Sequence, residues 1–99
     1  MEKRTPHCPL SVIKALIEQG MVRATASAFQ GARGLGIPDL AGMCAVVMAL
    51  TPADFAKAMT TYADHRIWQD VYRPKTPAGD VYLKLTVIDD ALIVSFKEL

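Results

Sequence analysis

Near Ile67 the spacing of apolar residues changes, and that change constrains the fold more than any other feature of the chain. Before it, apolar side chains recur every three to four positions, as on a helix; after it they alternate, as on a strand with one buried face. Pro9 suits a first helical position, Leu10, Ile13 and Ile17 follow at helical spacing, and Gly20 ends the run. Met21 to Ala24 has room for a short strand. Thr25 predicts the cap of a second helix through about Arg33, stopped by Gly34 and Gly36, and Asp39 the cap of a third. Met43, Val46, Val47 and Leu50 make that third helix apolar nearly all round, which predicts a place at the centre of the domain. Thr51-Pro52-Ala53-Asp54 combines an N-cap, a first-turn proline and an acid at the dipole's positive end, so a fourth helix is expected. On it Phe55, Ala58 and Met59 would share one face and Lys57 the opposite one.

After the change of period, Ile67 to Arg73, Val81 to Ile88 and Ala91 to Lys97 read as strands, with a turn-rich connection from Pro74 to Gly79. Helices first and strands afterwards predict an α+β fold, with N-terminal helices packed on a C-terminal antiparallel sheet. Residues 1–99 suit a single domain, and an apolar fraction of 52% supports a core.

Asp89-Asp90 read as a two-residue hairpin loop sets a register. Ile88 then faces Ala91, and pairing continues outward: Val87 facing Leu92, Leu85 facing Val94 and Leu83 facing Phe96 make an apolar face that must be core. The other face pairs Thr86 with Ile93, Lys84 with Ser95 and Tyr82 with Lys97. Tyr82 beside Lys97 has two readings: a phenol shielding a lysine stem on a solvated face, or the rigid floor of a site for an anion.

Several classes are excluded or left without support. The run Ala41 to Leu50 is shorter than the ~20 apolar residues that a bilayer requires. No charged leader with an apolar stretch and a cleavage site opens the chain, so a cytoplasmic location and no membrane contact are expected. Cys8 and Cys44 form no CxxC pair and are expected as free thiols, and a metal site would have to recruit His7 and His65 from distant segments, so none is expected. A net charge of +1 decides nothing about nucleic acid, because phosphate affinity depends on local clusters of Lys and Arg.

Polar, planar and cationic side chains crowd between Met59 and Pro74: Tyr62, His65, Trp68, Gln69, Tyr72 and Arg73, with Lys57 just before. RNA can be cut without metal when its 2′-hydroxyl attacks the adjacent phosphate. One group removes a proton, another protonates the leaving oxygen, and cations stabilise the phosphorane. Lys57, Lys97, Arg73, Tyr82, Gln69 and His65 supply the necessary types. Arg73 suits bidentate phosphate contact, and Gln69 can orient a group but cannot titrate. Each also has a plain structural reading: Trp68 and Tyr72 as core, His65 as a turn residue after Asp64, Gln69 as a solvated strand residue.

The segment Met59-Thr-Thr-Tyr-x-Asp-His-x-Ile-Trp-Gln-Asp-Val-Tyr-Arg-Pro74 carries a resemblance. So do Val81-Tyr-Leu-Lys84, Thr86-Val-Ile88, Leu92-Ile-Val-Ser-Phe-Lys-Glu98, Met1-Glu-Lys-Arg-Thr-Pro-His7 and Gly42-Met-Cys44. Over essentially its whole length the chain resembles the motility quorum-sensing regulator (MqsR) toxin family, mRNA interferases with a fold similar to the RelE-type microbial ribonucleases. The resemblance implies the toxin of a type II toxin–antitoxin pair: a ribosome-independent endoribonuclease cleaving mRNA at short GC-containing sites and arresting growth. It implies a partner antitoxin with a zinc-binding domain and a helix-turn-helix domain, operator DNA contacted only through that antitoxin, and no cofactor in this chain. The family's active-site residues fall on Lys57, Gln69, Tyr82 and Lys97, and Arg73, Met59, Lys84 and His65 are expected to contact substrate. Ala56 stands where an aromatic can occur and Asp89 where histidine is familiar. The rival expectation is a non-catalytic RNA- or protein-binding module using the same basic and aromatic sheet face.

Overall fold

The computed structural model describes residues 1–99. In chain order the elements are strand β1 (Glu2–Lys3), helix α1 (Leu10–Glu18), strand β2 (Val22–Ala24), and helices α2 (Ala26–Gly34) and α3 (Leu40–Met48). A single 3-10 turn (Pro52–Asp54) follows, then strands β3 (Phe55–Thr60), β4 (Trp68–Tyr72), β5 (Lys75–Thr76), β6 (Gly79–Ile88) and β7 (Asp90–Glu98). The fold is α+β, with strand order β1-β3-β4-β6-β7-β2 and β5 paired to β6 off that path. The sheet is mixed and not antiparallel throughout, because β2 runs parallel to β7.

Side-chain caps fix the starts of α2 and α3. Thr25 Oγ1 accepts from Ala28 N at 3.1 Å, and Asp39 Oδ1 accepts from Gly42 N at 2.8 Å. Ile13, Ala28, Ala32, Met43, Val47 and Leu50 then pack on Tyr72, Val81, Leu83, Leu85, Ala91, Ile93 and Phe96 of one sheet face. Helix α3 does not occupy the centre of the domain. Only Met43 and Val47 of it are buried, and its small residues Ala41, Ala45 and Ala49 face out at a spacing of four. Helix α2 lies against β7 so closely that a Cβ on Gly31 would fall 1.8 Å from the Phe96 carbonyl oxygen.

The expected fourth helix is absent. Thr51 N does donate to Asp54 Oδ2 at 2.9 Å, but the turn stops there and Phe55 is extended (φ −68°, ψ 131°). Arg73 N donates to Asp54 O at 2.8 Å, so pairing with the far side of β4 captures the chain. The helical look of Phe55 and Ala58 comes from a bulge between Phe55 and Lys57. That extra residue puts two apolar side chains on one face three positions apart. Lys57 and Met59 consequently share a face, contrary to the helical expectation.

The last hairpin also differs from its expected register near the tip. Asp89 alone forms the turn at φ +67°, and Ile88 pairs with Asp90. A second irregularity at Val94 restores the count, so Lys84 pairs with Ser95, Leu83 with Phe96 and Tyr82 with Lys97 as expected. The carbonyl of Val94 accepts the Thr25 hydroxyl at 2.7 Å, which ties the bulge to the start of α2. Between the two irregularities the faces are exchanged: Ile93 is fully buried, and Leu92 and Val94 lie half-buried outside the core.

Asp70 anchors the N-terminal segment to the sheet. It is 2% exposed and accepts from His7 N at 2.8 Å and Cys8 N at 2.9 Å. Removing it leaves two amides without acceptors, so Asp70→Ala is expected to cost roughly 2–3 kcal/mol in urea unfolding and to loosen residues 1 to 8. Tyr72 has the opposite problem. Its hydroxyl is buried without a hydrogen-bond partner, and burial, then Asp70 and Cys8, push the phenol up from 10.0 to about 12. The folded protein thus holds this proton more tightly than the unfolded chain. The resulting stabilisation is present below pH 10 and is lost as pH rises through 12. Tyr72→Phe should flatten that alkaline loss and raise stability at neutral pH by about 1 kcal/mol.

Candidate active site on the open sheet face

Residues opposite one another in a sheet project to the same side. Lys57, Val71, Lys84 and Ser95 are successive partners across β3, β4, β6 and β7 and form one such row. Tyr72, Leu83 and Leu85 alternate with this row and belong to the helix-covered core. The row and its neighbours two residues away, including Met59, Gln69, Tyr82 and Lys97, therefore occupy the face without helices. Val71 is fully buried at its middle, where its cross-strand neighbours Lys57 and Lys84 flank it.

Two groups form on this face. Tyr82 is flanked by lysines, with Lys97 Nζ 5.1 Å and Lys84 Nζ 5.9 Å from its ring centre. Across the sheet, Lys57 Nζ donates to Glu2 Oε2 at 3.0 Å, and Met59 pairs with both Glu2 and Gln69. Lys57 holds the Glu2 carboxyl below its ordinary range, chiefly through that hydrogen bond, so Glu2 is ionised at neutral pH. Gln69 and Tyr82 lie on neighbouring strands four residues out of register, roughly 14 Å apart by strand geometry. The candidates share an extended surface, and several of them reach a single group only with their long side chains extended toward it.

A cavity of about 360 Å³ opens beside Lys57, lined by Glu2, Lys3, Arg4, Ala56, Lys57 and Arg73. A smaller one of about 180 Å³ contains Met1, Glu2, Met59, Thr60, Thr61, Tyr62 and His65. His65 belongs to the second cavity, in an exposed loop held by the Thr61 hydroxyl, which accepts from Asp64 N at 3.0 Å. Trp68 lies on the helix side, stacked on His7 at 5.5 Å.

A family model described as "Motility quorum-sensing regulator, toxin of MqsA" matches residues 5–98. The chain belongs to the MqsR toxin family. It is also 60% identical over 98 residues to the mRNA interferase toxin MqsR of Escherichia coli (strain K12), covering 99% of each chain.

In this MqsR-family chain two site residues had no pattern to reveal them: Glu2 lies on a two-residue strand too short to show alternation, and Arg4 follows directly after it. The only available signal was the charge of Glu2-Lys3-Arg4. Cys8 and Cys44 are free thiols, each raised by burial, Cys8 also by Asp70. No three His, Cys, Asp or Glu side chains converge in a way that could hold a metal ion. No helix is long and apolar enough to cross a membrane.

Proposed function

We propose that this chain is the toxin of a type II toxin–antitoxin pair and cleaves mRNA through its open sheet face, without ribosome or metal. The observation that carries the reading is the gathering of Lys57, Gln69, Tyr82 and Lys97 on one uncovered face of an MqsR-family fold. The 2′-oxygen forms a bond to phosphorus as the bond from phosphorus to the 5′-oxygen breaks. The products are a 2′,3′-cyclic phosphate and a 5′-hydroxyl. Lys57 serves proton transfer, passing the proton lost by the 2′-hydroxyl to the departing 5′-oxygen, and Lys97 stabilises charge on the phosphorane; the reverse assignment uses the same two positions. Gln69 and Arg73 orient phosphates, Tyr82 positions the backbone or stacks on a base, and Lys84, Met59 and His65 contact flanking nucleotides.

Short GC-containing sites are the proposed target. Ala56 lines the cavity beside Lys57 and offers no ring for stacking, so the preferred sequence should differ from that of relatives with an aromatic there. The partner is a cognate antitoxin with zinc-binding and helix-turn-helix domains, through which alone the pair contacts operator DNA, and the compartment is the cytoplasm. Purified protein incubated with RNA tests the activity: fragments support the nuclease, whereas tight binding with intact RNA supports a non-catalytic module.

A further inference from the structure

The cavity beside Lys57 holds more positive charge than the proposed chemistry uses. Four of its six lining residues, Lys3, Arg4, Lys57 and Arg73, are cationic, and Glu2 is its one acid. Glu2 is already engaged by Lys57 at 3.0 Å. Lys3 is engaged as well, with its ammonium 4.3 Å over the Trp68 ring and 3.1 Å from His7 Nδ1. Arg4 and Arg73 differ: every ion pair in the chain involves Arg23, Lys57 or Arg66, and neither guanidinium has a hydrogen bond to the protein.

Two unpaired guanidiniums on one small cavity repel each other, and each presents a planar fork of donors matched to phosphate oxygens. Arg4 is also restrained. Pairing of Lys3 with Ala58 holds the chain before it, and the bonds from His7 and Cys8 to Asp70 hold the chain after it. Such restraint lowers the ordering cost of gripping an anion. The cavity shares Lys57 with the open face, so a backbone lying across Lys57 reaches the cavity mouth with its next phosphate.

We propose that this cavity is a subsite for an RNA phosphate adjoining the scissile one, with Arg4 and Arg73 as its ligands. Glu2 is the resident counter-ion that releases Lys57 when the RNA backbone arrives. The inference rests on the RNA-cleaving reading and adds a binding residue, Arg4, and an occupant for the cavity.

The test combines steady-state cleavage of an RNA oligonucleotide with anisotropy titrations of its all-2′-deoxy counterpart over a range of salt. In Arg4→Gln, KM is expected to rise about tenfold while kcat changes less than about twofold, and the salt slope to become shallower by about 0.7, the value for one phosphate on a single strand. Arg73→Gln should do the same. Arg33→Gln, an exposed site on α2, should keep both wild-type values, and thermal unfolding checks that all variants fold. Wild-type KM and slope in Arg4→Gln overturn the subsite even where cleavage is confirmed. Weakened antitoxin binding with unmoved RNA affinity also overturns it, making the cavity a protein contact. A wild-type protein that binds the deoxy oligonucleotide but leaves RNA intact removes the nuclease reading, and the salt slopes still decide for or against the phosphate site.

Discussion

Gly31→Ala is expected to lower stability by about 3 kcal/mol or more, the largest loss from any one-carbon change in the scaffold. The added Cβ would lie 1.8 Å from the Phe96 carbonyl oxygen, 2.9 Å from its carbon and 3.1 Å from Lys97 Cβ. Two of those atoms are backbone of β7 and cannot swing aside, so α2 must lift from the strand that carries Lys97. Gly34, at the end of the same helix, has nothing within 4 Å of such a Cβ. Gly34→Ala should therefore be neutral or slightly stabilising, as alanine usually is in a helix. Urea midpoints of the two variants compare them directly, and an unchanged midpoint for Gly31→Ala would contradict the packing of α2 on β7.

Alanine at Lys57, Gln69, Tyr82 or Lys97 is expected to reduce RNA cleavage at least about tenfold, equivalent to about 1.4 kcal/mol of transition-state stabilisation, with the fold intact. None of the four is buried, so truncation opens no core cavity. Circular dichroism and thermal melts separate a lost reaction from a lost fold. Wild-type cleavage by Lys97→Ala would remove that lysine from the mechanism.

The parts legible in the sequence are those where local rules and tertiary structure agree. Thr25 and Asp39 cap helices because their side chains meet the amides that the spacing predicts. Tyr82 and Lys97 could be paired in advance because the tip of the hairpin and the bulge at Val94 each shift the register and the shifts cancel. The same pair of shifts hid the burial of Ile93, which no alternating pattern through an irregular strand can reveal. Around Lys57 a bulge imitated a helical period, and a strong start signal at Thr51 to Asp54 produced only one turn. Strand pairing with β4, a contact remote in sequence, decided that conflict. The offset of Gln69 from Tyr82 depends on how β4 meets β6 across the Pro74–Gly79 connection, and no turn signal sets it. Glu2 and Arg4 were invisible for a simpler reason: their segment is held by pairing of Glu2 and Lys3 with β3 and by the bonds of His7 and Cys8 to Asp70, not by a pattern of its own.

On the proposed reading, the open face directs an RNA 2′-hydroxyl against the neighbouring phosphate without a metal ion. The most direct measurement uses an RNA of known cleavage position, in EDTA, beside the same RNA with one 2′-deoxy nucleotide immediately before that position. Cleavage of the first is expected, giving 2′,3′-cyclic phosphate and 5′-hydroxyl ends, with no cleavage of the second at that position. Cleavage of the deoxy substrate there, fragments bearing 5′-phosphates, or loss of all activity in EDTA would contradict that reading.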